Sequence, residues 1–209
     1  MVTRMDRDVG RIMEKLKAHG LDSNTLVFFT SDNGPCLTKS HDPEFFNSNG
    51  PFRGVKRDMN EGGIRVPLIA RWPGKVPAGK SSEQIWAFWD LMPTLADFAG
   101  LPKPEGIDGI SMKPALLGKE QKEQHEYLYW DYGHCRLEYM QAVRVGNWKG
   151  IRTSTDAPIQ LYDIIKYPGE ENDVAKTNPD TVELLDVTMA KAVTPSPQYP
   201  IGVHYYCEH

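Results

Sequence analysis

Long apolar runs are absent from this sequence, and so is any block of like charge. No stretch approaches the roughly 20 apolar residues that a membrane-spanning helix needs. The first residues, Met1 to Arg11, are charged and contain no apolar signal-peptide core. With 24 basic and 28 acidic residues and a net charge of -4, the chain has no basic stripe to neutralise phosphates, so it lacks the footprint of a nucleic-acid binder. Cysteine is scarce: Cys36, Cys135 and Cys207 show no CxxC spacing. That argues against a metal cluster or a thioredoxin-like redox pair. One pair is able to form a disulfide, but the odd count leaves a thiol over, and three unpaired thiols is the simpler reading. Internal repeats and low-complexity tracts are also missing.

What remains is a globular composition. The 209 residues are 40% hydrophobic and 25% charged, enough for one large domain or two small ones. Met5, Val9, Ile12, Met13 and Leu16 recur at spacings of three and four, which predicts a helix ended at His19-Gly20. Leu26 to Thr30 is a short apolar, partly β-branched run that reads as a buried strand. It stops at the dense turn signal Ser31-Asp32-Asn33-Gly34-Pro35. A long polar stretch, Cys36 to Met59, follows, and loops of this length are usually functional or disordered. Val66 to Ala70 predicts a second strand, with Pro67 near its start or on an edge. Ala87 to Gly100 predicts a helix, with Asp90 as cap and Pro93 in its first turn.

The texture changes near residue 124. Glu126–Trp130, Ala142–Val145, Trp148–Arg152 and Leu161–Asp163 predict short strands, with a hairpin turn at Gly146-Asn147. Their alternation suggests an antiparallel sheet with one wet face. Thr181 to Val193 predicts an amphipathic helix. The expected fold class is α/β: an incomplete mixed sheet flanked by helices, then a small antiparallel sheet with a C-terminal helix. The expected domains are residues 1–122 and 123–209.

Three segments carry residues suited to chemistry. Asp32-Asn33 follows a buried strand directly, and α/β proteins place ligand sites at the carboxyl ends of strands. A carboxylate beside an amide oxygen offers two hard ligands for calcium or magnesium, although Asp-Asn-Gly is also an ordinary turn. Lys56 stands in a loop before a strand, where a lysine is able to neutralise a sulfate or phosphate, although most lysines are simply exposed. Glu61 and Arg65 flank Gly62-Gly63 and read as a structural pair fixing that bend.

Together these segments resemble a known family. Thr30-Ser31-Asp32-Asn33-Gly34, then Arg53-Gly54-x-Lys56, then Glu61-Gly62-Gly63-Ile64-Arg65-Val66-Pro67 are similar to the C-terminal motifs of the type I sulfatases. These are the arylsulfatase-like enzymes of the alkaline phosphatase superfamily. The opening Met5-Asp6-x-x-Val9-Gly10-Arg11-Ile12, and later Ala142-Val143-Arg144, Trp148-Lys149 and Leu161-Tyr162-Asp163, extend the resemblance to roughly residues 3 to 200. The stretch from His41 to Gly50 resembles bacterial members of the arylsulfatase A branch.

The resemblance implies hydrolysis of sulfate esters. It implies that Asp32 and Asn33 ligate Ca2+, that Lys56 contacts the substrate's sulfate as a catalytic and binding residue, and that His41 either lies near the leaving group or is a loop histidine with no role. It also implies a formylglycine nucleophile made from a C/S-x-P-x-R motif. No cysteine or serine of this sequence sits in such a motif. The family's early Asp-Asp ligands are absent too. The expectation is therefore a C-terminal fragment, inactive alone, binding metal weakly and prone to self-association through an exposed sheet edge. The implied substrate is a sulfate ester, with sulfated polysaccharide among the candidates, and the implied location is periplasmic or secreted. Two other readings stand beside it: a non-catalytic module binding sulfated glycans, and a phosphatase or phosphodiesterase of the same superfamily.

Overall fold

The structure, a computed structural model, describes residues 2–38, 41–133 and 139–202. It divides into two compact units: Met1–Thr30 with Pro67–His125, and Ser31–Val66 with Glu126–His209. Cys36 is an exposed free thiol; Cys135 and Cys207 lie outside the described residues. No helix among the described residues is long and apolar enough to cross a membrane.

The first unit opens with helix α1 (Val2–Ala18). Gly20 follows in the left-handed region at φ 69°, the conformation that ends helices at glycine. Strands β1 (Val27–Thr30) and β2 (Leu68–Arg71) pair antiparallel, with Val27 opposite Arg71 and Thr30 opposite Leu68. β2 starts after Pro67, which has no N–H to give a ladder; its carbonyl instead accepts from the Thr30 hydroxyl at 2.8 Å. Trp72 packs against Phe98, and its indole N–H reaches the Ser23 carbonyl at 2.8 Å. Several large apolar side chains stay exposed: Met5 and Ile12 on α1, Ile69 on β2, and Met92 and Leu95 on helix α3 (Leu91–Phe98).

Asp90, immediately before α3, differs from its expected role. Its side chain makes no capping bond to the helix. It is fully buried and gathers other groups. It accepts from the Ala87 N–H at 2.8 Å and the Ile110 N–H at 2.9 Å, and His125 Nε2 meets it at 2.9 Å. Asp90 thus ties the segment between α3 and the short helix α4 (Lys113–Leu116) back onto α3. Thr94 extends this stitching, its hydroxyl accepting from the Met112 N–H at 2.9 Å.

The second unit is built on a four-stranded antiparallel sheet in chain order: β3 (Leu128–Tyr132), β4 (Met140–Val145), β5 (Trp148–Arg152) and β6 (Gln160–Asp163). The β4–β5 hairpin has Gly146 at φ 57° as the first of its two central residues, where a type II′ turn needs glycine. Helix α5 (Pro179–Ala192) lies on one face. There Val143, Leu161, Leu185 and Met189 form one buried cluster. The expected wet face is not wet. Met140, Ala142, Ile151 and Tyr162 on the opposite face pack with Met59 and Ile64 from the loop region before β2. The loop brings its own apolar residues and covers that face, so both faces of the sheet are buried.

The Asp90 arrangement predicts a large, local penalty. Asp90→Ala removes a buried carboxylate and strands two backbone N–H groups, at a cost of about 3 kcal/mol. Native-state hydrogen exchange should show Ala87 and Ile110 losing protection first.

Candidate active site

All four residues singled out in the sequence lie in the second unit. Its loop region ends in a single helical turn, α2 (Glu61–Ile64). Backbone meets backbone here with no side chain between. The Gly34 N–H donates to the Gly63 carbonyl at 2.9 Å, the Gly62 N–H to the Arg53 carbonyl at 2.7 Å, and the Lys56 N–H to the Pro35 carbonyl at 2.8 Å. A Cβ on Gly34 would overlap the Gly62 carbonyl oxygen, and one on Gly62 would overlap the Gly54 carbonyl. Glycine is therefore required by close approach at both positions. The contact sets the Asp32-Asn33 turn, the Lys56 loop and α2 against one another.

Asp32 is exposed and Asn33 half-buried. The Asn33 amide nitrogen donates to the Gly34 carbonyl at 2.8 Å, and the Ser31 hydroxyl donates to the Asn33 carbonyl at 2.9 Å. The bond through nitrogen leaves the Asn33 amide oxygen as an acceptor, one residue along from the Asp32 carboxylate. This donor set, one carboxylate and one amide oxygen, is hard and suits calcium, but it is two ligands of the six to eight that calcium takes. Among the described residues no group of three His, Cys, Asp or Glu side chains gathers to hold a metal. The pair fits part of a calcium shell.

Lys56 is half-buried, and among the described residues its ammonium has no ion-pair partner. A partly desolvated, unpaired cation is a position where an anion would be welcome. Arg57 next to it sits at φ 84°, a strained conformation for a side-chain-bearing residue of the kind that clusters at functional sites. His41 lies elsewhere on the same long loop. Its ring stacks on Phe46 at 5.2 Å and its backbone pairs with Thr38, so the turn and Lys56 are brought together while His41 is held by its own aromatic neighbour.

The group that secures this loop was not legible from the sequence. Glu61 pairs with Arg65 at 3.8 Å, as expected, but its closer partner is Lys149 of β5 at 2.8 Å. Lys149 is wholly buried and also meets Glu170 at 3.2 Å. Glu170 accepts from the Glu61 N–H at 2.7 Å, and its carbonyl accepts from Arg53 at 3.1 Å. Burial is the main cause that pushes the Glu170 carboxyl above its ordinary range, outweighing the pull of Lys149. One lysine thus fastens α2 and the Glu170 turn to the sheet.

The sulfatase family model matches residues 1–101, and the model described as N-sulphoglucosamine sulphohydrolase, C-terminal, matches residues 52–194. The chain belongs to the sulfatase family. N-acetylgalactosamine-6-sulfatase of Canis lupus familiaris is 39% identical over 150 residues, covering 71% of this chain and 27% of that protein. Steryl-sulfatase of Mus musculus is 33% identical, covering 91% of this chain and 36% of that protein. The solved structure of Ps i-CgsB in complex with k-i-k-neocarrahexaose is 32% identical with a TM-score of 0.80, covering 100% of this chain and 44% of that one. The chain therefore spans roughly a quarter to a half of the length of these sulfatases, and its architecture is part of their alkaline phosphatase-like fold.

Two measurements follow. Gly34→Ala forces backbone against backbone, so it should destabilise the second unit by about 3 kcal/mol, the upper end of overpacking costs, readable in urea denaturation. Glu170 predicts a pH effect of definite sign. From the reference carboxyl value of 4.5 up to its raised folded value, the native state holds a proton that the unfolded state releases. Its contribution to stability is thus full below that window and is lost as pH rises through it. Glu170→Gln should flatten this decline in urea midpoint against pH.

Proposed function

We propose that this chain forms one wall of the active site of a sulfuric ester hydrolase, acting on a sulfated sugar. The observation that carries the reading is Lys56: half-buried, unpaired among the described residues, and held by its own N–H against the Asp32-Asn33 turn. Its ammonium binds the sulfate group and stabilises the negative charge that shifts toward the leaving oxygen. Asp32 and Asn33 supply two oxygens to Ca2+, which when bound orients the sulfate and polarises its oxygens. His41, stacked on Phe46, either borders the leaving-group side or is a loop histidine with no role. The relatives' names span a sulfated amino sugar and a steroid; the oligosaccharide bound in the solved structure favours a polysaccharide for this site, in keeping with a periplasmic or secreted location.

A second reading has a specific observation behind it. The sequence holds no C/S-x-P-x-R motif from which formylglycine would be made. The chain alone then binds a sulfated sugar without turning it over.

Titrating the chain with galactose 6-sulfate, with and without calcium, tests both. Backbone resonances of Asp32, Asn33 and Lys56 should shift saturably, Lys56→Ala should weaken binding about tenfold, and Asp32→Ala should abolish the calcium response. Unchanged binding in Lys56→Ala overturns the assignment, and calorimetric calcium affinity tighter than micromolar overturns the partial shell. Turnover of 4-nitrophenyl sulfate by this chain alone would contradict the view that its nucleophile lies elsewhere.

A further inference from the structure

The loop that carries Lys56 is closed at its neck and shaped from within. The Gly62 N–H donates to the Arg53 carbonyl at 2.7 Å, so residues 53–62 leave and return at one place. Inside the loop, Val55 and Asp58 are bonded twice. The Asp58 N–H reaches the Val55 carbonyl at 2.9 Å, and the Val55 N–H reaches Asp58 Oδ2 at 2.8 Å. Lys56 and Arg57 are the two central residues of this turn. Arg57, at φ 84°, has the value that a type II turn needs at its second central position. All of these bonds are local to the loop.

The neck itself is anchored from more than 100 residues away, by Glu170 in the turn after β6. Glu170 Oε2 accepts from the Glu61 N–H at 2.7 Å on one side of the neck. Its carbonyl oxygen accepts from Arg53 Nη1 at 3.1 Å on the other. The turn sits close: a Cβ on Gly169 would lie 3.3 Å from the Pro51 carbonyl oxygen. Glu170 is wholly buried, and Lys149 lies 3.2 Å from its Oε1. Its backbone is at φ 50°, in the left-handed region that suits glycine and strains a residue with a Cβ. A turn that needed only this backbone would be better served by glycine. The side chain offsets the strain with its bond to Glu61, and strain held in this way clusters at functional sites.

We propose that Glu170 is a positioning residue for Lys56: by holding both sides of the loop's neck, it keeps the ammonium in place for a sulfate that Glu170 itself never touches. The inference rests on Lys56 as the sulfate-binding group. A lysine on an unanchored loop still attracts an anion, but binding must then order the loop, and affinity falls by the cost of that ordering. What the neck needs from the side chain is an acceptor oxygen at the reach of a glutamate. An amide of the same length supplies that oxygen to the Glu61 N–H, while Lys149 keeps Glu61 as its partner at 2.8 Å.

The test is NMR titration of the full chain with galactose 6-sulfate in the absence of calcium, with the urea midpoint of each variant measured beside it. Glu170→Gly relieves the backbone and removes the acceptor, and should weaken binding about fivefold. Glu170→Gln should bind within about twofold of the unaltered chain. Leu185→Ala opens a cavity in the α5 cluster on the other face of the sheet, so it should lower the urea midpoint and leave affinity unchanged. Where Glu170→Gly does not fold, Glu170→Asn replaces it, because asparagine tolerates positive φ and stops one methylene short. In the unaltered chain, native-state hydrogen exchange should show the Lys56, Glu61 and Gly62 amides opening together. Unchanged affinity in Glu170→Gly, an equal loss in Glu170→Gln or Leu185→Ala, or separate opening of those three amides would each overturn the proposal. Lys56→Ala separates the two readings. No effect there removes the sulfate-binding role of Lys56, whereas a loss there with unchanged binding in Glu170→Gly removes the positioning role alone.

Discussion

Lys149 carries its charge into a place that water does not reach, and the arrangement of the second unit follows from how that charge is answered. Glu61 and Glu170 meet it from two different segments of the chain. An isolated buried ammonium is too costly to keep, whereas one flanked by carboxylates and further hydrogen bonds is tolerated. Glu61 is also met by Arg65 at 3.8 Å, while burial shifts Glu170 toward its neutral form. Such a group gives geometry more than net stability. It holds α2 against β5, and α2 presents the glycines that receive the Asp32-Asn33 turn.

Much of the fold was legible in the sequence. The 3.6-residue pattern marked α1, α3 and α5, and the short apolar runs marked all six strands among the described residues. Element ends moved for identifiable reasons. α5 begins at Pro179, ahead of the apolar pattern at Thr181, because proline suits the first helical position. The sheet face expected to be wet was covered by Met59, at the end of a polar stretch whose composition hides it, and by Ile64 of the Gly-Gly bend. Asp90 looked like a cap, but its side chain serves groups 3, 20 and 35 residues away.

The candidate residues came from motif order, whereas the group that supports their loop was not legible. Asp32, Asn33 and Lys56 were singled out by motif order, and backbone hydrogen bonds hold their segments next to one another. The Lys149 partnership spans 88 residues, a separation at which no periodicity or spacing rule applies. An alternating strand does not say whether a lysine faces solvent or a buried carboxylate.

The Lys56 main-chain bond to Pro35 has a consequence for how this loop is able to change over time. The place of residue 56 is written in the backbone, through its N–H and the glycines around it, while its chemistry is written only in the side chain. A different side chain there would inherit the same address. Selection is then free to exchange the charge, reach or acidity of that one group without redesigning the loop, whereas Gly34 and Gly62 admit no such experiment.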